Sequence, residues 1–411
     1  MKVLFFSNIP IAQSVKGGYN GGGWISSLIE ILSRRDDLEI GVGFLGSHDS
    51  ITKKGNITLF QICVGKGNKK IEKIKKAFKL LGPRYLEAEK DSWTNYESKF
   101  LETIDKYKPN IIHVFGSEMH FGLIGGKTEV PVIIHIQGIL NPYFNAYLPP
   151  FYSWNSIGRI KSFINKRLWE QWCFREKEIL ARVKNYIGRT TWDERITSIY
   201  NPSANYFYGG EILRRPFYES CTRVLPERLS IVSTISDPYY KGFDLILKTA
   251  CILKKQLHLD FTWIVFGNIK PKITERIVNI SYRENNIVLK GVATADELKS
   301  AICNSTVFVH PSYIDNSPNS VCEAQLLGST VLAANVGGLP SLIEDGETGF
   351  LFPANDSYQL AFLIKKVYSS QALNNRIGQN SRDMALKRHN QDRIVSDLLN
   401  VYKKIIENTN T

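Results

Sequence analysis

The stretch SYIDNSPNSVCEAQLLGSTVLAANVGGLPSLIEDGETG, Ser312 to Gly349, decides how this chain is read. Two acidic residues, Asp315 and Glu323, stand eight positions apart. Ser317, Pro318, Asn319 and Ser320 lie between them, and an apolar run and the pair Gly337-Gly338 follow. Pro318 suits the first turn of a helix that runs through Leu327, with Gly328 as its stop. Asn316 or Ser317 is the expected N-cap. Asp315 then falls just before the helix and Glu323 about one turn inside it. Carboxylates so placed accept hydrogen bonds from hydroxyls, as they do from ribose in dinucleotide-binding folds. The donors of Ser317, Asn319 and Ser320 at the helix start face an anion. Hydroxyl acceptors beside amide donors suit a nucleotide sugar. A capped helix with two ordinary solvated acids fits the spacing equally well.

Outward from this stretch, short β-rich runs alternate with helical patterns. KVLFFS (2–7), IGVGFL (40–45), ITLFQI (57–62), IIHVF (111–115) and VPVIIHIQ (130–137) each read as a strand. The pattern restarts with LSIVSTI (229–235), followed by the helix FDLILKTACILKKQ. FTWIVFG, NIVLKG, TVFVHPS and TVLAAN continue as strands, with helices over DELKSAICN, SVCEAQLLG and PSLIEDG. Such alternation implies parallel, doubly wound α/β sheets, and its restart implies two Rossmann-like domains. They are expected over residues 1–210 and 211–385, with the linker inside NPSANYFYGGEILRRPFYES (201–220). A C-terminal helix over 386–411 is expected to pack back on the N-terminal domain.

Bulk properties agree with that organisation. A chain of 411 residues exceeds one ordinary core, and 43% hydrophobic with 22% charged residues is a globular balance. No apolar run has membrane-spanning length, and MKVLFFSNIP reads as a first buried strand and not a signal peptide. Lys and Arg number 52 against 39 Asp and Glu, a net +13. That excess favours an anionic partner: a phosphorylated ligand, an anionic membrane face or nucleic acid. No nucleic-acid motif is present, so nucleic acid is not expected. Six scattered cysteines without a C-x-x-C pair argue against a metal site and a disulfide scaffold, and suit a reducing cytoplasm.

Other stretches carry possible chemistry. KGGYNGGGWISSLIEIL (16–32) places five glycines in seven positions between a strand and an amphipathic helix. The backbone of Gly21, Gly22 and Gly23 lets a ligand approach, and amides at the helix start favour an anion. The spacing is neither the dinucleotide fingerprint nor a P-loop, and a structural turn accounts for it as well. His135 ends the strand VIIHIQG, where parallel sheets place ligands. His113 lies inside an apolar alternation and reads as core; His310, before Pro311, reads as structural. GRTTWDER (188–195) either closes a cleft floor or caps a helix. KGNKKIEKIKKAFKLLGPR (66–84) is a basic amphipathic helix, able to lie on an anionic bilayer or to stand solvated. NPYFNAYLPPFYSWNSIGRIKSFINKRLWEQW (141–172) mixes aromatics with Arg and Lys, as an acceptor channel, an interface or inter-helix packing does.

The run HPSYIDNSPNSVCEAQLLGSTVLAANVGGLPSLIEDGETGFLFPAND resembles the donor-binding region of the group 1, glycogen-synthase-like retaining glycosyltransferases. That family carries Glu, seven residues, then Glu, followed by a glycine pair and a G-x-x-G-x-L element. Glu323 matches the second Glu; Gly346, Gly349 and Leu351 match the closing element. YYKGFDLIL (239–247) resembles its K-G element, VLKGVATADELKSAICNSTVFVHPS (288–312) its approach to the motif, and GGYNGGGW its N-terminal glycine loop. The resemblance covers most of 229–355 closely and the N-terminal half loosely.

What the resemblance implies is the GT-B architecture, two Rossmann-like domains facing a cleft. The C-terminal domain would bind a nucleoside-diphosphate sugar and the N-terminal domain a saccharide acceptor, with no metal or other cofactor. Glu323 would hold the donor ribose and Asp315 the hydroxyls of the donor sugar. Lys241 would face the pyrophosphate as a point charge, Gly21–Gly23 would add amides across the cleft, and His135 would lie near the reacting carbon. Asp315 replaces the family's first Glu. Ser236 stands about where the family has an Arg before the K-G lysine, leaving Arg189, Arg214 or Arg215 to complete the phosphate clamp. The implied activity is retaining sugar transfer, onto a lipid-carrier-linked acceptor, in surface polysaccharide assembly at the inner membrane face. A non-catalytic sugar-nucleotide binder and a sucrose- or trehalose-type synthase are the alternatives.

Overall fold

The structure, a computed structural model, describes residues 1–7, 23–65, 80–150, 152–154, 159–219 and 223–410. Two sheets organise it. The N-terminal sheet comprises β1 (Lys2–Phe6), β2 (Glu39–Leu45), β3 (Ser50–Lys54), β4 (Ile57–Ile62), β5 (Ile111–Phe115), β6 (Val132–His135), β7 (Asn185–Gly188) and β8 (Asn205–Tyr208), in the order β3-β4-β2-β1-β5-β6-β7-β8. The C-terminal sheet comprises β9 (Leu229–Thr234), β10 (Phe261–Phe266), β11 (Ile287–Gly291), β12 (Val307–His310), β13 (Val331–Ala334) and β14 (Phe350–Phe352), in the order β11-β10-β9-β12-β13-β14. Pairing is parallel throughout except β3 with β4. Two parallel α/β domains are thus present, as the restarted alternation implies.

The side-chain period of two explains how one strand serves two cores. Val3 and Phe5 join one buried cluster, with Trp24, Leu28 and Ile40; Leu4 and Phe6 join another, with Phe100, Ile112 and Ile134. Strands covered on both faces read as continuous apolar runs, which is why they stand out in the sequence. Three strands do not. β3 is SITKK, an exposed edge whose lysines face solvent. β8 is NYFY, also an edge, and falls inside the expected linker. β14 is three residues long.

Other local departures have identifiable causes. The helix after Asp315 spans Asn319–Leu326 with Pro318 as N-cap and no side-chain cap bond. Asn316 and Ser317 do not cap it because their side chains are engaged elsewhere: Asn316 with Gln137 and Asp193, Ser317 with Glu211. PSLIEDG is not a helix; only Leu339–Ser341 forms a short 3₁₀ turn. Its remaining backbone bonds close a tight turn, Glu344 N to Thr348 Oγ1 at 2.9 Å and Gly346 N to Gly349 O at 2.8 Å. Cys63, Cys173, Cys251 and Cys322 are free, but Cys303 is disulfide-bonded, since separation along a sequence says little about distance in space. Among the described residues no helix is long and apolar enough to cross a membrane.

The last helix, Gln391–Asn410, leaves the C-terminal half and lies on the N-terminal sheet. It buries Ile394, Val395, Leu398, Leu399, Tyr402 and Ile405 in the cluster that holds Val3 and Phe5. The Tyr402 hydroxyl meets His113 Nδ1 at 2.5 Å in a fully buried setting. Burial pushes the His113 imidazole down to about 3, so it stands neutral and structural. Tyr402→Phe strands that nitrogen without its partner. It should cost about 1–3 kcal/mol, read as a shift of the urea midpoint with an unchanged slope; an unmoved midpoint contradicts the role.

Candidate active site

A cleft of about 810 Å³ opens where both sheets present their strand ends. Parallel sheets leave such crevices at the carboxyl ends of their strands. Lys241, Asp315, Ser317, Asn319, Ser320 and Glu323 line it from the C-terminal half; Trp24, Glu118, Gln137 and Arg189 line it from the N-terminal half. Six of the expected site residues therefore share one wall.

Lys241 is delivered by its neighbour. Gly242 has φ 75° and opens the helix Phe243–Lys255. A Cβ there would stand 2.1 Å from the Pro311 carbonyl, so only glycine lets this loop close on the end of β12. The closure sets the Lys241 ammonium on Asp315 Oδ2. His310 Nε2 lies 2.9 Å from the same oxygen. The other oxygen, Oδ1, accepts from the Tyr143 hydroxyl at 3.0 Å and from the Asn316 amide at 3.2 Å. Burial pushes the Asp315 carboxyl up, but the Lys241 charge and the His310 contact outweigh it and hold the group well below the usual carboxylate range. Burial likewise lowers the Lys241 amine, and the Asp315 charge more than offsets it. The pair is ionised, and Asp315 already holds a cation here.

Glu323 is also engaged. Arg214 Nε and Nη2 donate to its two oxygens at 2.7 and 2.8 Å, a bidentate fork. Burial pushes the Glu323 carboxyl up and Arg214 offsets part of that. The guanidinium sits 4.8 Å from the Phe217 ring, which orients it from behind. Beside Glu323, Asn319 and Ser320 form the first turn of their helix, and its free amides open on the cleft. Of the three arginines expected to replace the one absent at Ser236, Arg189 and Arg214 line the cleft and Arg215 is not in its wall. Arg189 is buried, paired with Glu211 and donating to the Ile136 carbonyl at 2.9 Å.

His135 does not belong to the cleft wall. It is 2% exposed, behind Trp24, with ring centroids 4.8 Å apart. Neither of its ring nitrogens has a hydrogen-bond partner, and burial holds the imidazole neutral. The residues that do reach the cleft from this strand end are Gln137 and Gly138. The strand is correctly placed, but its wall-forming side chain lies two positions further on. In GRTTWDER both readings hold: Arg189 lines the cleft, and Thr190 caps Thr191–Tyr200 by accepting from the Asp193 amide at 3.3 Å. Gly23 lines the cleft; Gly21 and Gly22 lie outside the described residues, as does most of the basic stretch 66–84.

Glu118, a carboxylate that no motif marks, also stands in the N-terminal wall of the cleft. Burial, aided by the negative charge of Glu176, pushes its carboxyl up to about 7. Glu176 accepts from Ser117 Oγ at 2.8 Å and is itself pushed up by burial. The available signal was position: Glu118 follows the end of β5, where a parallel sheet presents functional groups.

Comparison with known proteins agrees with this geometry. Residues 227–384 match the family model described as glycosyl transferases group 1. The amylovoran biosynthesis glycosyltransferase AmsK of Erwinia amylovora is 25% identical over 155 residues, 36% of this chain and 38% of that protein. The chain spans about half or less of the length of the curated relatives it matches. Sucrose-phosphate synthase from Thermosynechococcus elongatus superposes with a TM-score of 0.73 at 17% identity, covering 99% of each chain. Alr3699/HepE of Anabaena, solved in complex with UDP-glucose, gives 0.63 at 16% identity, again over 99% of each.

The depressed Asp315 carboxyl sets a pH dependence. A group held lower in the folded state contributes stability above its unfolded value, near 3.8, and loses it as pH falls toward the folded value. Asp315→Asn should therefore melt below the parent at pH 7, with the difference shrinking from about pH 4 downward. Thermal melts across that range check it; a constant difference is inconsistent with an ionised pair.

Proposed function

The chain belongs to the group 1 glycosyl transferases through residues 227–384 and carries the GT-B fold, and from that premise we propose that it moves a sugar from a nucleoside-diphosphate sugar to a saccharide acceptor, with retention, in surface polysaccharide assembly. One observation carries this reading: Lys241, Asp315, Glu323 and a helix N-terminus converge on one wall of a cleft between two parallel-sheet domains. An ammonium and free amides suit a diphosphate, and carboxylates suit hydroxyls. The UDP-glucose bound by HepE and the amylovoran role of AmsK support the donor and pathway classes.

In this reading the diphosphate lies against Lys241 and the first-turn amides of Asn319 and Ser320. Glu323, oriented by Arg214, accepts from the ribose, and Asp315 accepts from the donor sugar. The acceptor oxygen attacks the anomeric carbon from the face that the diphosphate leaves. The carbon–oxygen bond to phosphate breaks, its electrons pass to the diphosphate, and a phosphate oxygen takes the acceptor proton. No protein nucleophile and no metal take part. Charge grows on the leaving diphosphate as the bond lengthens, so Lys241 acts more on the transition state than on the bound donor.

Lys241→Ala should then lower turnover by about a hundredfold, as loss of one oriented donor does, and weaken donor affinity much less. EDTA should leave the parent activity intact. Near-normal turnover of the variant, or inhibition by EDTA, contradicts the assignment. Glu323→Ala should lose donor binding in titration calorimetry while its melting transition survives; unchanged affinity removes Glu323 from the ribose.

We also propose that the protein works on the cytoplasmic membrane face, reached through the positive charge of 66–84, where a lipid-linked acceptor resides. Co-flotation with anionic liposomes at low salt, abolished by screening at high salt, is the expected result. Failure to float at low salt eliminates the contact.

A further inference from the structure

The N-terminal wall of the cleft is built from aromatic rings that no core uses. Tyr147, Trp169 and Trp172 line it, with Phe144 and Trp154 behind them. All five are only half-buried, and none belongs to the four buried clusters. They are nevertheless ordered against one another. Phe144 stacks on Trp169 at 15°, Tyr147 stacks on Trp154 at 13°, and Trp169 meets Tyr147 at 5.1 Å and Trp172 at 5.5 Å.

Helix geometry sets them in one row. Within Arg159–Arg182, the cleft-lining residues Asn165, Leu168, Trp169 and Trp172 fall at helical spacing on one face. Further along the same face Ile179 and Leu180 enter the core, so the row leaves the core and reaches the cleft at its N-terminal end. Planar polar groups rim the aromatic patch. Asn165, Gln137 and Glu118 line the same wall, and Asp237 accepts from the Tyr147 hydroxyl at 3.3 Å.

Large apolar area left at the surface of a cleft, edged by a few convergent polar groups, marks a binding site. The mixture selects the ligand. A pyranose ring has a face of C–H bonds that lies on an indole and a rim of hydroxyls that bonds carboxamides and carboxylates. A polyisoprenoid chain has no use for the polar rim. A nucleobase also stacks, but the amide and cation groups suited to its diphosphate lie on the opposite wall. We propose that Trp169, supported by Phe144 and Tyr147 and edged by Asn165, is the platform for a pyranose ring of the acceptor, so that the acceptor is recognised as a saccharide and not by its carrier. This rests on the glycosyltransferase reading above and deepens it by naming what the N-terminal wall holds.

The test is saturation-transfer NMR on the intact protein with methyl β-galactopyranoside, one of whose ring faces is entirely C–H. Sorbitol, which has no ring, is the control, and UDP is a separate probe of the donor wall. Saturation should concentrate on the hydrogens of one ring face and be absent from sorbitol. Trp169→Ala should reduce it about two- to tenfold, the range of one aromatic contact. Trp169→Phe should restore most of it, which separates a platform from a collapsed fold. UDP signals should be equal in all three proteins. Undiminished pyranoside saturation in Trp169→Ala overturns the proposal. So does equal saturation of sorbitol, or saturation of a polyprenyl phosphate with none on the pyranoside. Loss of UDP signal in Trp169→Ala overturns it too, by placing the nucleotide on this wall. Failure of the glycosyltransferase reading shows elsewhere, as nucleotide sugars neither bound nor turned over.

Discussion

The carboxamide of Asn316 crosses from one half of the molecule to the other. Its oxygen accepts from Thr190 Oγ1 at 2.6 Å, and its nitrogen donates to Asp193 Oδ2 at 2.8 Å and to the Gln137 carbonyl at 3.2 Å. Its backbone amide donates to the Tyr143 hydroxyl at 3.1 Å. The residue is fully buried, so each of these bonds is needed to avoid an unmatched polar group. From the other side, Gly337 presses its backbone on Asp315. It has φ 53°, and a Cβ would stand 1.9 Å from the Asp315 carbonyl. The glycine pair is therefore explained by close approach of chain to chain. The loop that carries Asp315 is fixed between the two halves, and any change in their relative position alters the surroundings of that carboxylate.

What fixes the loop also selects which charges meet. A buried ion pair contributes little net stability beside a well-packed apolar alternative, because both ions lose their water. Breaking one by removing a single partner is costly, since the other charge stays buried. Two such pairs line the cleft, Lys241 with Asp315 and Arg214 with Glu323, and a third, Arg189 with Glu211, has only its arginine in the wall. Three pairs in one region make a poor way to stabilise a fold and a good way to store matched charge where a ligand arrives.

How much of this was legible follows from what a pattern can encode. Strands buried on both faces, such as KVLFF and LSIVST, are visible because burial dictates every position. The edges SITKK and NYFY are not, because solvent on one side relaxes that demand. Asp315, Glu323 and Lys241, which the motifs single out, line one cleft. Their partners were not legible: Tyr143 lies 172 positions from Asp315, and Arg214 lies 109 from Glu323. His135 was placed at the right strand end but on the wrong side of Trp24, since a strand register says which residues end it and not which ring fills the gap. Glu118 carries no motif, and only the topology puts it in the cleft.

The paired carboxylates of the opening stretch make sense together with the chain's excess of positive charge. On the proposed reading Asp315 and Glu323 each face a cation across a hydrogen-bonding distance before the donor arrives. A diphosphate brings negative charge and no hydroxyl donors; the sugar and ribose attached to it bring hydroxyls and no charge. Lys241 can therefore turn toward the diphosphate while Asp315 accepts hydroxyls in its place, and Glu323 accepts from the ribose while Arg214 keeps its fork on the carboxylate. Neither acid needs to move far, because Asp315 stays held by His310 and Tyr143. Each buried ion keeps a partner at every stage, so the desolvation already incurred in folding is not incurred again on binding. A site that lacked the acids would expose bare cations before the donor came; one that lacked the cations would repel the donor outright. The carboxylates thus hold the cations in readiness first and the donor's hydroxyls second, which is why an acidic pair belongs in a basic chain.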